Sequence, residues 1–438
     1  MIKQVLLFLL QSGGLLATWQ LATDHNKRDF VFLVLGLMLA CQNAAYFGSV
    51  VIVQMRHFFA LMIIIAIILR ANLLRSNLGM MSKVYIVLVL LIYVASAWSL
   101  HPKDFFIIKF HRTVYAVLMV LLAGTFRDES DIRKFLWMLF PNLVLLAVGL
   151  AFGSQELVDV SDRLMINEQN ANSVGAFSGY LVFGGALILV FLKTNIVVKI
   201  VLGICVLSGI STLLGSGSRT AFASCAGAVL VSSVALMTSR KRFFLVGIPL
   251  FMILAYGIAR VWRTISYSIT ERLMMIASGG TSGRDIVWGL GLEYLRKEHL
   301  WQGMGGIMQG FFIQRSEWLA ENTIKWGSTL NIYIDTILET GIMGLILWLL
   351  LLVMFIVRSC RLWRGQKSSC KYVPIAMCMF GLLQGVGEAV SMKAEMPFGM
   401  FMIIGLVILS AKRFQWGGQS FGRTFHMRQD MPYGYSAF

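Results

Sequence analysis

The stretch LLGSGSRTAFAS, residues 213–224, contains one arginine between two apolar segments. The flanking segments, 197–214 and 219–237, are each long enough to cross the hydrocarbon core of a bilayer as a helix. The glycines and serines at 215–218 are residue types that favour a tight turn. The stretch therefore predicts a helical hairpin with Arg219 at the membrane boundary.

The same pattern extends over the whole chain of 438 residues, of which 58% are hydrophobic and only 13% are charged. A soluble chain has about one quarter charged residues, and continuous apolar runs favour helices over a β-barrel. We therefore expect an all-α, polytopic membrane protein with about 12–13 transmembrane helices. The predicted spans are 4–22, 29–48, 52–74, 83–99, 105–125, 133–152, 173–192, 197–214, 219–237, 243–260, 329–357, 373–390 and 397–411.

The charged connections predict the orientation. Segments 238–242 and 358–371 are basic, and lysine and arginine collect on the cytoplasmic side of membrane proteins. We therefore expect a single transmembrane domain over 1–411 and a basic cytoplasmic tail over 412–438. The same rule explains the net charge of +17, so the expected contacts of these cations are membrane lipids and not nucleic acid.

Counting spans places the long segment 261–328 on the external face. It has seven basic and six acidic residues and is nearly neutral. Ile286, Leu290 and Tyr294 recur at helical spacing within it, and the glycines of GMGG that follow predict a turn. We expect one large external loop that contains a helix.

Two arginines of the external face are candidates for binding an anion. Arg219 follows the small residues of the predicted turn, and Arg284 precedes the predicted loop helix. A guanidinium binds a phosphate through two parallel hydrogen bonds, so the pair fits a diphosphate. The alternatives are that Arg219 only anchors a helix at the boundary and that Arg284 pairs with Asp285.

The helix that follows the loop carries polar residues at helical spacing. Asn331, Asp335 and Glu339 lie one turn apart in the stretch STLNIYIDTILETGIMG. Carboxylates inside a membrane are costly and usually mark function, although pairing that stabilises the helix is an equal alternative.

The chain shows no spacing typical of metal ligands, and we expect no metal.

Five stretches resemble the O-antigen ligase and O-antigen polymerase superfamily of bacterial envelope glycosyltransferases. The resemblance covers roughly 80–360, and it lies in the order and spacing of short motifs. The stretches are YVASAWSLHPKDFFIIKFHRTVYAVLMVLLAGTF with its Arg112, NEQNANSVGAF, GSGSRTAF, SGRDIVWGLGLEYLRKEHLWQGMGG and LNIYIDTILETGIMGL.

The resemblance implies an enzyme that transfers an oligosaccharide from undecaprenyl diphosphate to an acceptor at the periplasmic face of the inner membrane. It implies no nucleotide sugar and no cofactor, and other proteins of polysaccharide assembly are candidate partners. It assigns the diphosphate to Arg219 and Arg284. It also places Arg112, Asn331 and Tyr333 among the residues that contact the substrate.

One position departs from the family pattern. Where the ligases have a histidine proposed to activate the acceptor, this chain has Leu330, which cannot accept a proton. We therefore expect a polymerase, which uses a second carrier-linked repeat as acceptor, with a ligase as the alternative. The catalytic base is sought at Asp335 and Glu339, with Glu317 and Glu321 as further candidates.

The alternative of another class is a transporter or flippase, which should show internal repeats; the sequence shows none.

Overall fold

The computed structural model describes the helical bundle and short pieces of its connections. The described residues are 13, 15–17, 20, 30–43, 78–98, 102–153, 155–158, 163–166, 171–237, 288–289, 291–293, 295–296, 300–305, 331–365, 368–387, 397–412 and 414–416. Most of the predicted span 4–22, all of 52–74 and 243–260, and most of the loop 261–328 and of the tail 412–438 lie outside them. The division into domains stays a prediction.

Ten long helices form the bundle within the described residues, and each coincides with a predicted span. Phe30–Asn43 is α1, Met80–Ala95 is α2, Pro102–Ala123 is α3, Glu129–Phe152 is α4, Ala171–Phe191 is α5, Ile196–Ser216 is α6, Arg219–Met237 is α7, Ile332–Gly365 is α8, Tyr372–Gly387 is α9 and Pro397–Ser410 is α10.

Five helices among the described residues are long and apolar enough to cross a membrane. They are Glu129–Phe152, Asn172–Phe191, Ile196–Ser216, Ile332–Arg364 and Ser369–Val386. The prediction of an all-α, polytopic membrane protein is confirmed, and the total of 12–13 spans stays a prediction. The connection between α4 and α5 also contains a short antiparallel hairpin, in which β1 (Gln155–Val158) pairs with β2 (Arg163–Ile166).

Helix α10 lies at the centre of the bundle. Every residue from Pro397 to Leu409 is buried, as expected for a helix that is apolar on all sides. The Phe401 ring contacts aromatic rings of α4, α5 and α9, at centroid distances of 5.2–6.3 Å. The helix that is most hydrophobic in sequence therefore forms the core around which the others pack.

The two ends of the bundle differ in charge. At one end the N–H of Gln415 donates to the carbonyl of Arg127 (2.8 Å), and Arg358 Nε donates to the carbonyl of Leu409 (2.7 Å). We call this the basic end, because Lys371 and Lys412 also lie there. The opposite end, which we call the loop end, contains the turn 216–218 and the start of α8. The basic end matches the sequence segments predicted to be cytoplasmic.

Candidate active site at the interrupted helix

Helix α8 is interrupted close to the loop end. Gly341 has φ 65° and ψ −156°, which divides the helix into a short arm, 332–340, and a long arm, 342–365. This backbone conformation is open almost only to glycine. The sequence predicted one continuous helix here, and the break is a feature that it did not predict.

A piece of the long connection before α8 binds to this break. The N–H of Met304 donates to the carbonyl of Leu338 (2.7 Å), and the N–H of Ile342 donates to the carbonyl of Leu300 (3.0 Å). In an uninterrupted helix, the N–H of Ile342 would donate to the carbonyl of Leu338. Segment 300–305, which we call the docked segment, therefore replaces a hydrogen bond of the helix.

Glycines make this close approach of two backbones possible. A Cβ atom on Gly341 would lie 2.4 Å from the carbonyl oxygen of Trp301, and one on Gly303 would lie 2.4 Å from the nitrogen of Gly341. Gly303 and Gly305 both have positive φ, at 73° and 62°. The GMGG turn predicted from the sequence thus belongs to the part of the loop that binds the break in α8.

The two arms of α8 are joined across the break by buried side chains. Trp348 of the long arm donates from Nε1 to Oγ1 of Thr336 in the short arm (2.8 Å), and its ring packs edge-to-face on Tyr333 (5.6 Å). The Thr336 hydroxyl in turn donates to the carbonyl of Ile332 (2.7 Å). Trp348 therefore fixes the angle between the arms.

The carboxylate of Glu339, in the short arm, forms an ion pair with Lys109 of α3. Both side chains are largely buried, with exposed fractions of 8% for Lys109 and 13% for Glu339. A buried charge is stable only when it is paired. Lys109 is a functional candidate that the sequence analysis missed, although a lysine in the apolar run FFIIKF was a signal for it.

Asn331 and Tyr333 attach the short arm to α9. Asn331 caps the helix by accepting from the N–H groups of Tyr333 (2.9 Å) and Ile334 (3.2 Å), and its amide donates to the carbonyl of Val386 (3.0 Å). The Tyr333 hydroxyl donates to the carbonyl of Leu382 (3.1 Å). These bonds give both residues a structural role, and their contact with substrate stays a prediction.

Arg219 begins α7 immediately after the predicted turn. Gly217 ends α6 in the left-handed conformation (φ 60°), and a Cβ on Gly175 of α5 would lie 2.4 Å from Cβ of Ser218. The small residues of GSGSR therefore let α5 approach the turn closely. The helical hairpin is confirmed, whereas the direction of the Arg219 side chain lies outside what the structure describes.

The remaining predicted site residues are distributed around this end of the bundle. Asp335 is half-buried in the short arm, one turn before Glu339. Arg112 is half-buried in α3, one turn after Lys109. Arg284, Leu330, Glu317 and Glu321 lie outside the described residues. The structure thus places Tyr333, Asp335 and Glu339 in the short arm, with Asn331 as its cap. Their roles stay predictions.

The fold and this end of the bundle define a polytopic membrane protein with an interrupted helix and paired charges inside it. Residues 203–349 match the family model described as O-antigen ligase. The match runs from within α6 through the break in α8, and over these residues the resemblance to the ligase and polymerase superfamily is confirmed. The curated proteins include no match to the chain.

Proposed function

We propose that the protein is an inner-membrane glycosyltransferase of the O-antigen polymerase type. It transfers an oligosaccharide from undecaprenyl diphosphate to a second carrier-linked repeat at the periplasmic face. The family domain supports an enzyme of the polysaccharide ligase or polymerase type. The observation that carries the reaction site is the docked segment bound to the interrupted helix beside Asp335 and Glu339.

The chemistry requires a base and a site for the leaving group. A hydroxyl of the acceptor attacks the anomeric carbon of the donor sugar, and the bond from that carbon to the phosphate oxygen breaks. The electron pair leaves with the diphosphate, and its growing charge is stabilised by Arg219 and Arg284. The candidates for the base that takes the proton of the acceptor hydroxyl are Asp335 and Glu339, and the carboxylate of Glu339 forms the ion pair with Lys109.

The choice of polymerase rests on Leu330. A ligase that activates its acceptor with a histidine at this position would have no base there. The description of the matching family favours the ligase as the second candidate. In that case the acceptor is lipid A–core, and a carboxylate takes the place of the histidine as the base.

The lipopolysaccharide of a deletion strain distinguishes these functions. Loss of long chains, with a single repeat still attached to the core, is the result expected for a polymerase. Loss of every repeat from the core would identify a ligase. Accumulation of the carrier-linked repeat on the cytoplasmic side would identify a flippase and contradict both. The control is the same strain complemented with the wild-type gene.

A further inference from the structure

We propose that Lys109 is a positioning residue for this transfer reaction. Through its ion pair with Glu339, it holds the short arm of α8 against α3 and thereby keeps the docked segment on the helix break. The effect on transfer rests on the proposed function. The effect on docking does not, because docking is measured without substrate.

Glu339 links three parts of the molecule. Its carboxylate binds Lys109 of α3, and its own backbone carbonyl accepts from the N–H of Gly305 (3.0 Å). The neighbouring carbonyl of Leu338 accepts from Met304. A displacement of the Glu339 side chain is therefore transmitted to two backbone bonds of the docked segment.

The ion pair is not a by-product of close helix packing. Among the described residues, α3 and α8 both pack along α2, and no extensive contact joins them to each other. The ion pair of Lys109 with Glu339 therefore connects two helices that share α2 as a neighbour. Removal of the pair would leave the short arm attached through α2 and through the bonds of Asn331 and Tyr333 to α9.

The pair also has the burial that a positioning role requires. Each side chain is largely withdrawn from solvent, so the loss of one partner leaves the other as an uncompensated buried charge. Such a loss is strongly destabilising, whereas replacement of both charges together is often nearly neutral. The position of the docked segment should consequently respond far more to single than to paired neutral substitutions.

Two neighbouring residues of the docked segment report on docking. Met304 is 1% exposed and Trp301 is 68% exposed. Met304→Cys and Trp301→Cys are introduced separately into a protein whose six native cysteines are replaced. The purified protein in detergent is labelled with a polyethylene-glycol maleimide, and the rate is read from the gel shift. We expect the Trp301→Cys thiol to react about tenfold faster or more, because its position is open without unfolding.

Lys109→Met should raise the labelling rate of Met304→Cys about tenfold or more. The double variant Lys109→Met/Glu339→Gln should be labelled several-fold more slowly than Lys109→Met, because no buried charge is left alone. The control is Arg133→Met, which removes the pair of Arg133 with Glu129 (3.8 Å) at the basic end, where the arginine side chain is 57% exposed. We expect it to leave the rate within about twofold of the parent.

Two outcomes of the labelling overturn the proposal. One is a Met304→Cys thiol that stays protected in both Lys109→Met and Glu339→Gln. The other is a double variant labelled as fast as Lys109→Met, which would mean that the two residues act independently. If Lys109→Met is not monodisperse on size exclusion, Lys109→Gln replaces it in every comparison, with the same expectations.

Polymer formation in membranes tests the link to the reaction. Lys109→Met should lower the turnover of folded protein about tenfold, and Lys109→Arg, which keeps the charge, should stay within about threefold of wild type. If Lys109→Met speeds the labelling of Met304→Cys but leaves turnover unchanged, Lys109 holds the docked segment but is not a positioning residue for the reaction. Absence of polymer formation by the wild-type protein would instead overturn the proposed function, and the labelling rates alone would then decide whether Lys109 holds the docked segment.

Discussion

Helices α10 and α8 show two ways for a chain to cross this bundle. Helix α10 is buried from Pro397 to Leu409 and its interior is apolar. Helix α8 extends over 34 residues, is interrupted at Gly341 and binds the docked segment through its backbone. Helix α10 is continuous, whereas α8 depends on hydrogen bonds with the backbone of the docked segment.

The difference supports the proposal that the reaction site lies at α8. Irregular backbone is tolerated at membrane depth only where other parts of the protein satisfy its polar groups. A helix that only had to support the fold would not need such an interruption, a buried ion pair or close glycine contacts. We infer that the two helices have different roles: α10 stabilises the bundle, and α8 forms the reaction site. Mutations can test this division of roles.

The largest effect on activity is expected at the break itself. Gly341→Ala would place a Cβ 2.4 Å from the carbonyl oxygen of Trp301 in a conformation that costs a non-glycine residue about 1–3 kcal/mol before any clash. We expect the docked segment to be released and polymer formation to fall by about 10³-fold, or roughly 4 kcal/mol.

Gly203→Ala is the matched control for this change, because a Cβ at Gly203 of α6 would meet no atom within 4 Å. It should preserve activity and leave stability unchanged or slightly higher, since alanine is the better helix former. Polymer formation is measured in membranes and normalised to folded protein by size exclusion. Equal activity of the two alanine variants would remove the break from the site.

The next largest effect is expected at Arg219, to which the proposed function assigns the carrier diphosphate. Arg219→Ala should reduce turnover about 10²–10³-fold, as does the loss of one preorganised donor in other enzymes. Arg219→Lys should be impaired less, because lysine keeps the charge and loses the planar fork. The assay is the same, and Arg364→Ala, an exposed arginine of the basic end, is the control. Near-normal turnover in both Arg219 variants would leave this arginine as a boundary anchor.

A smaller effect is expected at Trp348, which joins the two arms. Trp348→Phe keeps an aromatic ring but loses the hydrogen bond to Thr336, worth about 1 kcal/mol. Turnover should fall about fivefold as the angle between the arms relaxes. The measurement is turnover together with the rate of Met304→Cys labelling, which should rise. A fall in turnover without faster labelling would argue against coupling through the break.

The smallest effect on turnover is expected in α10. Phe401→Ala removes a ring that packs on four others and should destabilise the bundle by about 3 kcal/mol through the cavity that it leaves. Turnover per folded molecule should stay within about twofold. Thermal unfolding in detergent gives the stability, and size exclusion gives the folded fraction. A loss of turnover in the folded fraction would show that α10 contributes to the site and would end the division proposed above.

The sequence predicted those parts of the fold that follow from composition and periodicity. Apolar length located α10 and most of the other described helices to within a few residues, because continuous apolar runs predict membrane helices. Helix α8 extends to Gly365, beyond its predicted end at 357. Small residues located the turn at Gly217. The acidic residues of the short arm also stood out, because charges are rare in apolar helices.

The rest could not be predicted, because it depends on contacts between distant segments. In the sequence, Gly341 does not differ from a glycine within a continuous helix. The interruption depends on hydrogen bonds that the docked segment supplies. Lys109 reads as a single cation in an apolar run, and its partner lies 230 positions later in the chain. Local sequence patterns do not specify which loop contacts a given helix or which charged residue pairs with another.

The separation between Lys109 and Glu339 has a consequence for biosynthesis. The 230 positions between them take roughly 10–50 s to synthesise at about 5–20 residues per second. During that interval α3 carries a lysine without its carboxylate partner. Helix α3 is therefore synthesised well before the carboxylate that pairs with Lys109, and formation of this ion pair is among the last steps in assembly of the protein.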